Sequence, residues 1–177
     1  MSKAQEISVA GIFSALSFVL MFLSAFMPLT YLWVMLSGFA IMIIMIEAGQ
    51  KTAFFAYISV TFLCFMLLPN IVISMEFALL IGYYPMIKLW LDNIERTLIR
   101  RAAKLAIFLI FSVVTLFISI HILGIVVAFG QVEQMRFFIL IPIGQITIFC
   151  IAYDYVLGHM HRHYIKSLRP KIFPKDK

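Results

Sequence analysis

A chain of 177 residues that is 64% apolar and 12% charged, with a mean hydropathy of +1.07, lacks the polar surface to cover itself in water. Soluble domains run about 45–50% apolar and about 25% charged, so a soluble enzyme and a disordered chain are excluded and an integral membrane protein is expected. The net charge of +6 does not point to nucleic acid, because the basic residues sit beside apolar runs, where anionic headgroups and membrane topology account for them.

At about 20 apolar residues per crossing, this length holds at most six or seven spans with short loops and leaves no room for a separate soluble domain. Charges and Pro/Gly breaks place the spans near 7–27, 31–46, 52–68, 71–87, 105–129 and 137–158. The first run exceeds the roughly 7–15-residue core of a signal peptide and reads as a mature span. None of the six alternates with period two, and lipid tolerates only helices or closed barrels. The expected fold is therefore an all-α bundle of six transmembrane helices, a single domain over 1–177. Cys64 and Cys150 lie inside apolar runs and read as reduced packing residues.

Orientation follows from Lys and Arg. With the N-terminus inside, Lys3, Lys51, a basic loop over 88–104 and a basic tail over 159–177 all fall on the cytoplasmic side. Only Arg136 of the 14 Lys and Arg is then left outside. Both termini are expected in the cytoplasm, in a multi-pass protein of the plasma membrane. Arg96, Arg100, Arg101 and Lys104 fit a helix that carries charge on one side, suited to headgroups or to a partner's acidic surface.

The sequence contains no G-x-x-x-x-G-K-[ST], G-x-S-x-G or H-E-x-x-H motif, so nucleotide hydrolysis of the P-loop type and serine or zinc hydrolysis are not expected. The chain does not read as an enzyme. Any uphill transport would draw on an ion gradient or on partner chains.

Ionisable groups at membrane depth are functional candidates by default. Glu76 lies six residues in from Asn70, about 9 Å deep, while His121 lies nine residues in from Gly130 and Gln145 nine from Arg136, each about 13 Å deep at 1.5 Å per residue. Three helices thus present polar groups at similar outer levels. This is the expectation for an outward-facing pocket, set against an interhelical cluster that only holds the bundle together. On a regular helix Glu76 shares a face with Leu80 and Tyr83, and Gln145 shares one with Phe138, Phe149 and Ala152. Ser112, Thr115 and Ser119 form a small stripe on the opposite side from His121. Asn70 and the loop from Gln131 to Arg136 would close the pocket, and Trp33 or Phe149 would stack on a heterocycle. Tyr31 and Trp33 equally suit an interfacial aromatic belt.

Asp154 lies near the cytoplasmic end of the last span, where pairing with Lys88 is expected. His159 and His163 are one helical turn apart, but no local carboxylate or Cys completes a metal set, and none is assigned. On the first span Ala10, Gly11, Ser14 and Ala15 make a small-residue stripe that lets another helix approach closely.

This architecture resembles the substrate-binding S component of energy-coupling-factor transporters, the bacterial micronutrient-uptake family. Ala10–Gly11–Ile12–Phe13–Ser14–Ala15–Leu16, Ile46–Glu47–Ala48–Gly49 and Ile81–Gly82–Tyr83–Tyr84–Pro85 carry the resemblance. It implies capture of a small vitamin-like molecule from outside, and docking through the stripe on the first span to a transmembrane coupling subunit and two ATPases. Gly11 stands where the family's first Ala is expected, and Ser14 is a further departure. No cofactor is implied in this chain, and ATP would be used by the partners. No loop signature selects a vitamin. A stand-alone secondary carrier or small channel is the second reading, and a membrane assembly protein or membrane-embedded enzyme the third.

Overall fold

The computed structural model describes residues 3–92, 96–121 and 135–169, and all regular structure among them is helical. Helices α1 (Lys3–Ser24), α2 (Thr30–Ala48) and α3 (Gln50–Leu67) are followed by a broken span made of α4 (Ile71–Glu76), a π-turn (Phe77–Ile81) and α5 (Tyr84–Leu91). Then come α6 (Thr97–His121) and α7 (Met135–His163), the latter continuing into a second π-turn at Tyr164–Leu168. Among the described residues, four stretches are long and apolar enough to cross a membrane: Lys3–Ser24, Thr30–Ala48, Gln50–Leu67 and Ile71–Leu91.

The distribution of side chains is compatible with a bundle in lipid. Large apolar residues project outward from α1 and α3, among them Ile7, Ile12, Phe55, Phe62 and Met66. The polar side chains Ser17, Ser24, Ser37, Ser74 and Lys88 are buried instead. Between apolar helices in an apolar solvent there is no hydrophobic drive to associate, so small residues and hydrogen bonds fix the contacts. Ser17 Oγ lies 2.7 Å from Ser37 Oγ, joining α1 to α2, and Ser74 Oγ donates to the Cys64 carbonyl at 3.1 Å, joining α4 to α3. Cys64 is buried and free.

Gly49 alone separates α2 from α3. Its φ of +87° is a backbone conformation that side-chain-bearing residues rarely adopt, which is why a one-residue reversal is available here. Gly38 meets a different demand. A Cβ at this position would lie 2.1 Å from Tyr153 Oη and 2.9 Å from Ile81 Cγ2, so α2, the broken span and α7 converge where only glycine fits.

The break in the fourth span has an identifiable chemical cause. Gly82 donates to the Phe77 carbonyl at 2.8 Å, a bond that skips five residues and widens the helix. Pro85 has no N–H to give to the Ile81 carbonyl four residues before it. Side chains supply what the helix withholds: Tyr57 donates to the Ala78 carbonyl at 2.6 Å and Tyr153 to the Ile81 carbonyl at 3.2 Å. Because the π-turn admits an extra residue, the regular-helix face expected for Glu76, Leu80 and Tyr83 is re-phased. Leu80 is buried, whereas Tyr83 meets Phe111 of α6 with ring centroids 4.9 Å apart.

Helix α7 runs parallel to α2. Phe149 meets Tyr31, Tyr153 meets Gly38, Tyr164 meets Phe39, and both Tyr164 and Arg169 reach Glu47. Residues 159–169, read from sequence as the start of a basic tail, therefore continue the helix along the bundle, with Tyr164 fully buried.

Candidate functional site

Two clusters of polar side chains occupy opposite ends of the bundle. At the end carrying Pro28 and Asn70, Tyr31 of α2 packs its ring on Phe149 of α7 with centroids 4.8 Å apart and planes tilted by 55°. Glu76, the last residue of α4, is the main charge acting on the Tyr31 phenol. Glu76 is half-buried, and so is Phe149, while Tyr31 remains exposed. A ring pair from α2 and α7 thus lies within the electrostatic reach of a carboxyl group on α4. A group that both accepts hydrogen bonds and carries charge, beside stackable rings, is the inventory for holding a small polar heterocycle.

Glu76 stands here because α4 gives way to the π-turn immediately after it. Such turns interrupt the regular ladder and recur at functional positions. Asn70 starts the same segment. Its Oδ1 accepts from the N–H groups of Val72 at 3.0 Å and Ile73 at 3.4 Å, so its carboxamide oxygen is engaged as a helix cap. Trp33 donates its indole N–H to the Pro28 carbonyl at 3.2 Å, which ties it to the α1–α2 connection. Leu29 in that connection holds a φ of 63°, a left-handed conformation that costs about 1–2 kcal/mol for an L-residue.

The other expected pocket residues divide by what the structure describes. Helix α6 reaches His121 and α7 carries Gln145, but the side chains of both lie outside the described residues, as does all of Gln131. The sequence did not single out Tyr31 as a site residue. The signal that would have found it is register: an aromatic residue at the first turn of α2 level with Phe149 and Glu76.

At the opposite end a network of charges is packed between α5, α6 and α7. The Lys88 ammonium donates to Asp154 Oδ1 and, at 2.9 Å, to the Asp154 carbonyl. Tyr84 donates to the same Oδ1 at 2.6 Å, and Lys104 reaches Asp154 Oδ1 at 3.1 Å and Asp92 Oδ1 at 2.7 Å. The expected pairing of Asp154 with Lys88 is present. Lys88, expected at the start of a surface loop, is instead 4% exposed, because α5 continues to Leu91. Lys104, expected on the lipid-facing basic side of its helix, turns inward to the two aspartates. Both corrections have one cause: the half-buried Asp154 carboxylate, with Asp92 at its rim, draws both cations inward. His161 of α7 is half-buried, and its buried Nδ1 has no hydrogen-bond partner among the described residues.

On α1 the small-residue stripe is split between two environments. Gly11 and Ala15 are exposed, and a Cβ on Gly11 would meet nothing within 4 Å. Ala10 and Ser14 are half-buried, Ala10 against the core.

Comparison with family models, with curated proteins and with solved structures finds no match.

Proposed function

We propose that this chain is the membrane-embedded substrate-binding subunit of a micronutrient uptake system, of the kind that the resemblance to S components implies. In this reading six spans place both termini in the cytoplasm. Tyr31, Glu76 and Phe149, together with His121 and Gln145, bind a small polar molecule at the outer end, and partner subunits supply ATP-driven work. The observation that carries the reading is the Tyr31–Phe149 ring pair from two helices, with Glu76 of a third as the main charge acting on the Tyr31 phenol. An ionisable side chain is costly at such a position unless a partner or ligand compensates it. The open face at Gly11 and Ala15 supplies a place where a coupling subunit would approach to backbone distance.

A stand-alone secondary carrier is the second reading, favoured by the broken fourth span next to buried charges. Interrupted helices and intramembrane ion pairs are the parts from which ion-coupled carriers are built. Purification in mild detergent separates the two readings. Copurifying ATPases and a second membrane subunit are expected from the first reading. Transport by this chain alone in liposomes would replace it with the second.

A further inference from the structure

The C-terminal turns of α7 carry a feature that neither the outer cluster nor the charge network uses. A cavity of about 260 Å³ lies against them, lined by Phe39, His159, Met160 and His163. Phe39 comes from α2 and is backed edge-on by the buried Tyr164 ring, with centroids 6.3 Å apart. The two imidazoles stand one turn apart, Arg162 lies three residues on from His159 on the same side of the helix, and Lys166 follows within the second π-turn, Tyr164–Leu168. All four side chains are exposed.

The charges around the cavity decide what it attracts. Arg169, the next basic residue, is spent on Glu47, with Nε 2.9 Å from Oε1, and that carboxylate also accepts from Tyr164. Glu47 is only 2% exposed and does not line the cavity. Among the described residues no ion pair engages Arg162 or Lys166. Two cations flanking two imidazoles repel a metal ion and draw an anion. A guanidinium fork and imidazole N–H donors match the tetrahedral oxygens of a phosphate group.

We propose that this face is a binding site for a phosphate-bearing anion. His159, Arg162, His163 and Lys166 hold the phosphate, and the cavity over Phe39 and Met160 takes the adjoining apolar part. An anionic lipid headgroup supplies both parts, whereas a free phosphate supplies only the first. The site lies at the same end of the bundle as Lys51 and Arg169, where basic side chains meet an anionic membrane surface.

The test uses the full chain, delipidated in neutral detergent, with dioleoyl-phosphatidylglycerol or dioleoyl-phosphatidylcholine added and retention read by native mass spectrometry. The phosphatidylglycerol is expected to bind at least tenfold more tightly. The pairs His159→Gln/His163→Gln and Arg162→Gln/Lys166→Gln should each lose at least fivefold of that affinity. Lys3→Gln/Lys51→Gln, which removes as much formal charge as the second pair, should lose less than twofold. A second arm measures the melting temperature in sodium phosphate and in sodium chloride of equal ionic strength. Stabilisation by phosphate that disappears in the histidine pair, without lipid preference, supports the site with free phosphate as its ligand. Absence of both lipid preference and phosphate stabilisation, or an equal loss in the Lys3/Lys51 control, overturns the proposal. Because the four residues are exposed, unchanged melting temperatures in plain detergent will confirm that the variants fold.

Discussion

The Tyr153 hydroxyl donates to the Ile81 carbonyl at 3.2 Å, the acceptor that Pro85 leaves without a helical donor. A helix break inside an apolar bundle is tolerated when a neighbouring helix re-satisfies the freed backbone, and here α7 does so for the fourth span. Tyr153→Phe strands that carbonyl and should cost about 1–3 kcal/mol, read as a lower unfolding temperature in detergent. In a Pro85→Ala background residue 85 regains an N–H for Ile81, so the same substitution should cost less than half as much. Equal penalties in both backgrounds would show that the hydroxyl does not replace the missing donor.

The charge network predicts an ordered set of losses. Asp154 is shared by Lys88, Lys104 and Tyr84. Its replacement by Asn leaves the Lys88 ammonium, with a side chain 5% exposed, the backbone carbonyl of residue 154 at 2.9 Å and, for a carboxylate, the more distant Asp92 at 3.9 Å. Removing one partner from a buried pair costs about 3–5 kcal/mol. Lys88→Met should cost less, because Asp154 keeps Lys104. Asp92, with a side chain 40% exposed, is the partner solvent screens best, and Asp92→Asn should fall within about 1 kcal/mol. Thermal unfolding of the three variants in one detergent tests the order, and an Asp92→Asn loss equal to that of Asp154→Asn would contradict it.

Much of this architecture is written in hydrophobicity and charge. Runs such as Thr30–Ala48 can only be buried helices, and the spacing of Lys88 from Asp154 along the two spans already implied a pair. What the sequence did not disclose depends on local hydrogen-bond arithmetic. The π-turn at Phe77–Ile81 has no periodicity of its own, and it undid the face assigned to Glu76, Leu80 and Tyr83. Lys104 read as a surface charge because its own sequence position cannot show that Asp92 and Asp154, from other elements, wait beside it. Tyr31 was legible as an aromatic at an interface. Its contact with Phe149 needed the register of α2 against α7, which pattern alone leaves open.

The exposed small residues of α1 make a prediction about assembly. Replacing Gly11 and Ala15 together with Leu adds bulk where the chain itself leaves open space, so the isolated protein should fold with an unchanged melting temperature. Large side chains hold helix backbones apart, and recovery of any copurifying membrane subunit should fall at least tenfold. Unchanged recovery would remove this face from the docking surface. The half-buried Ala10 offers the contrast: Ala10→Leu should destabilise the isolated chain, because that position packs against the core.

The outer cluster predicts a separation between binding and folding. Glu76→Gln keeps the size of the side chain and its hydrogen-bonding ability but removes its charge, so any ligand that relies on a carboxylate should lose at least tenfold in uptake while expression stays level. Tyr31→Phe keeps the ring on Phe149 and removes only the hydroxyl. It should therefore weaken uptake without lowering the unfolding temperature by more than about 1 kcal/mol equivalent. Tyr31→Ala also deletes the ring contact, worth about 0.5–1.5 kcal/mol beyond its area, and should cost both uptake and stability. Gln145→Leu carries the same logic further along α7, where an uptake loss at constant expression would add that residue to the site. Uptake assays on cells expressing each variant, paired with melting curves of the purified proteins, distinguish the outcomes. If Glu76→Gln and Gln145→Leu both support wild-type uptake, these side chains hold the helices together and the substrate binds elsewhere.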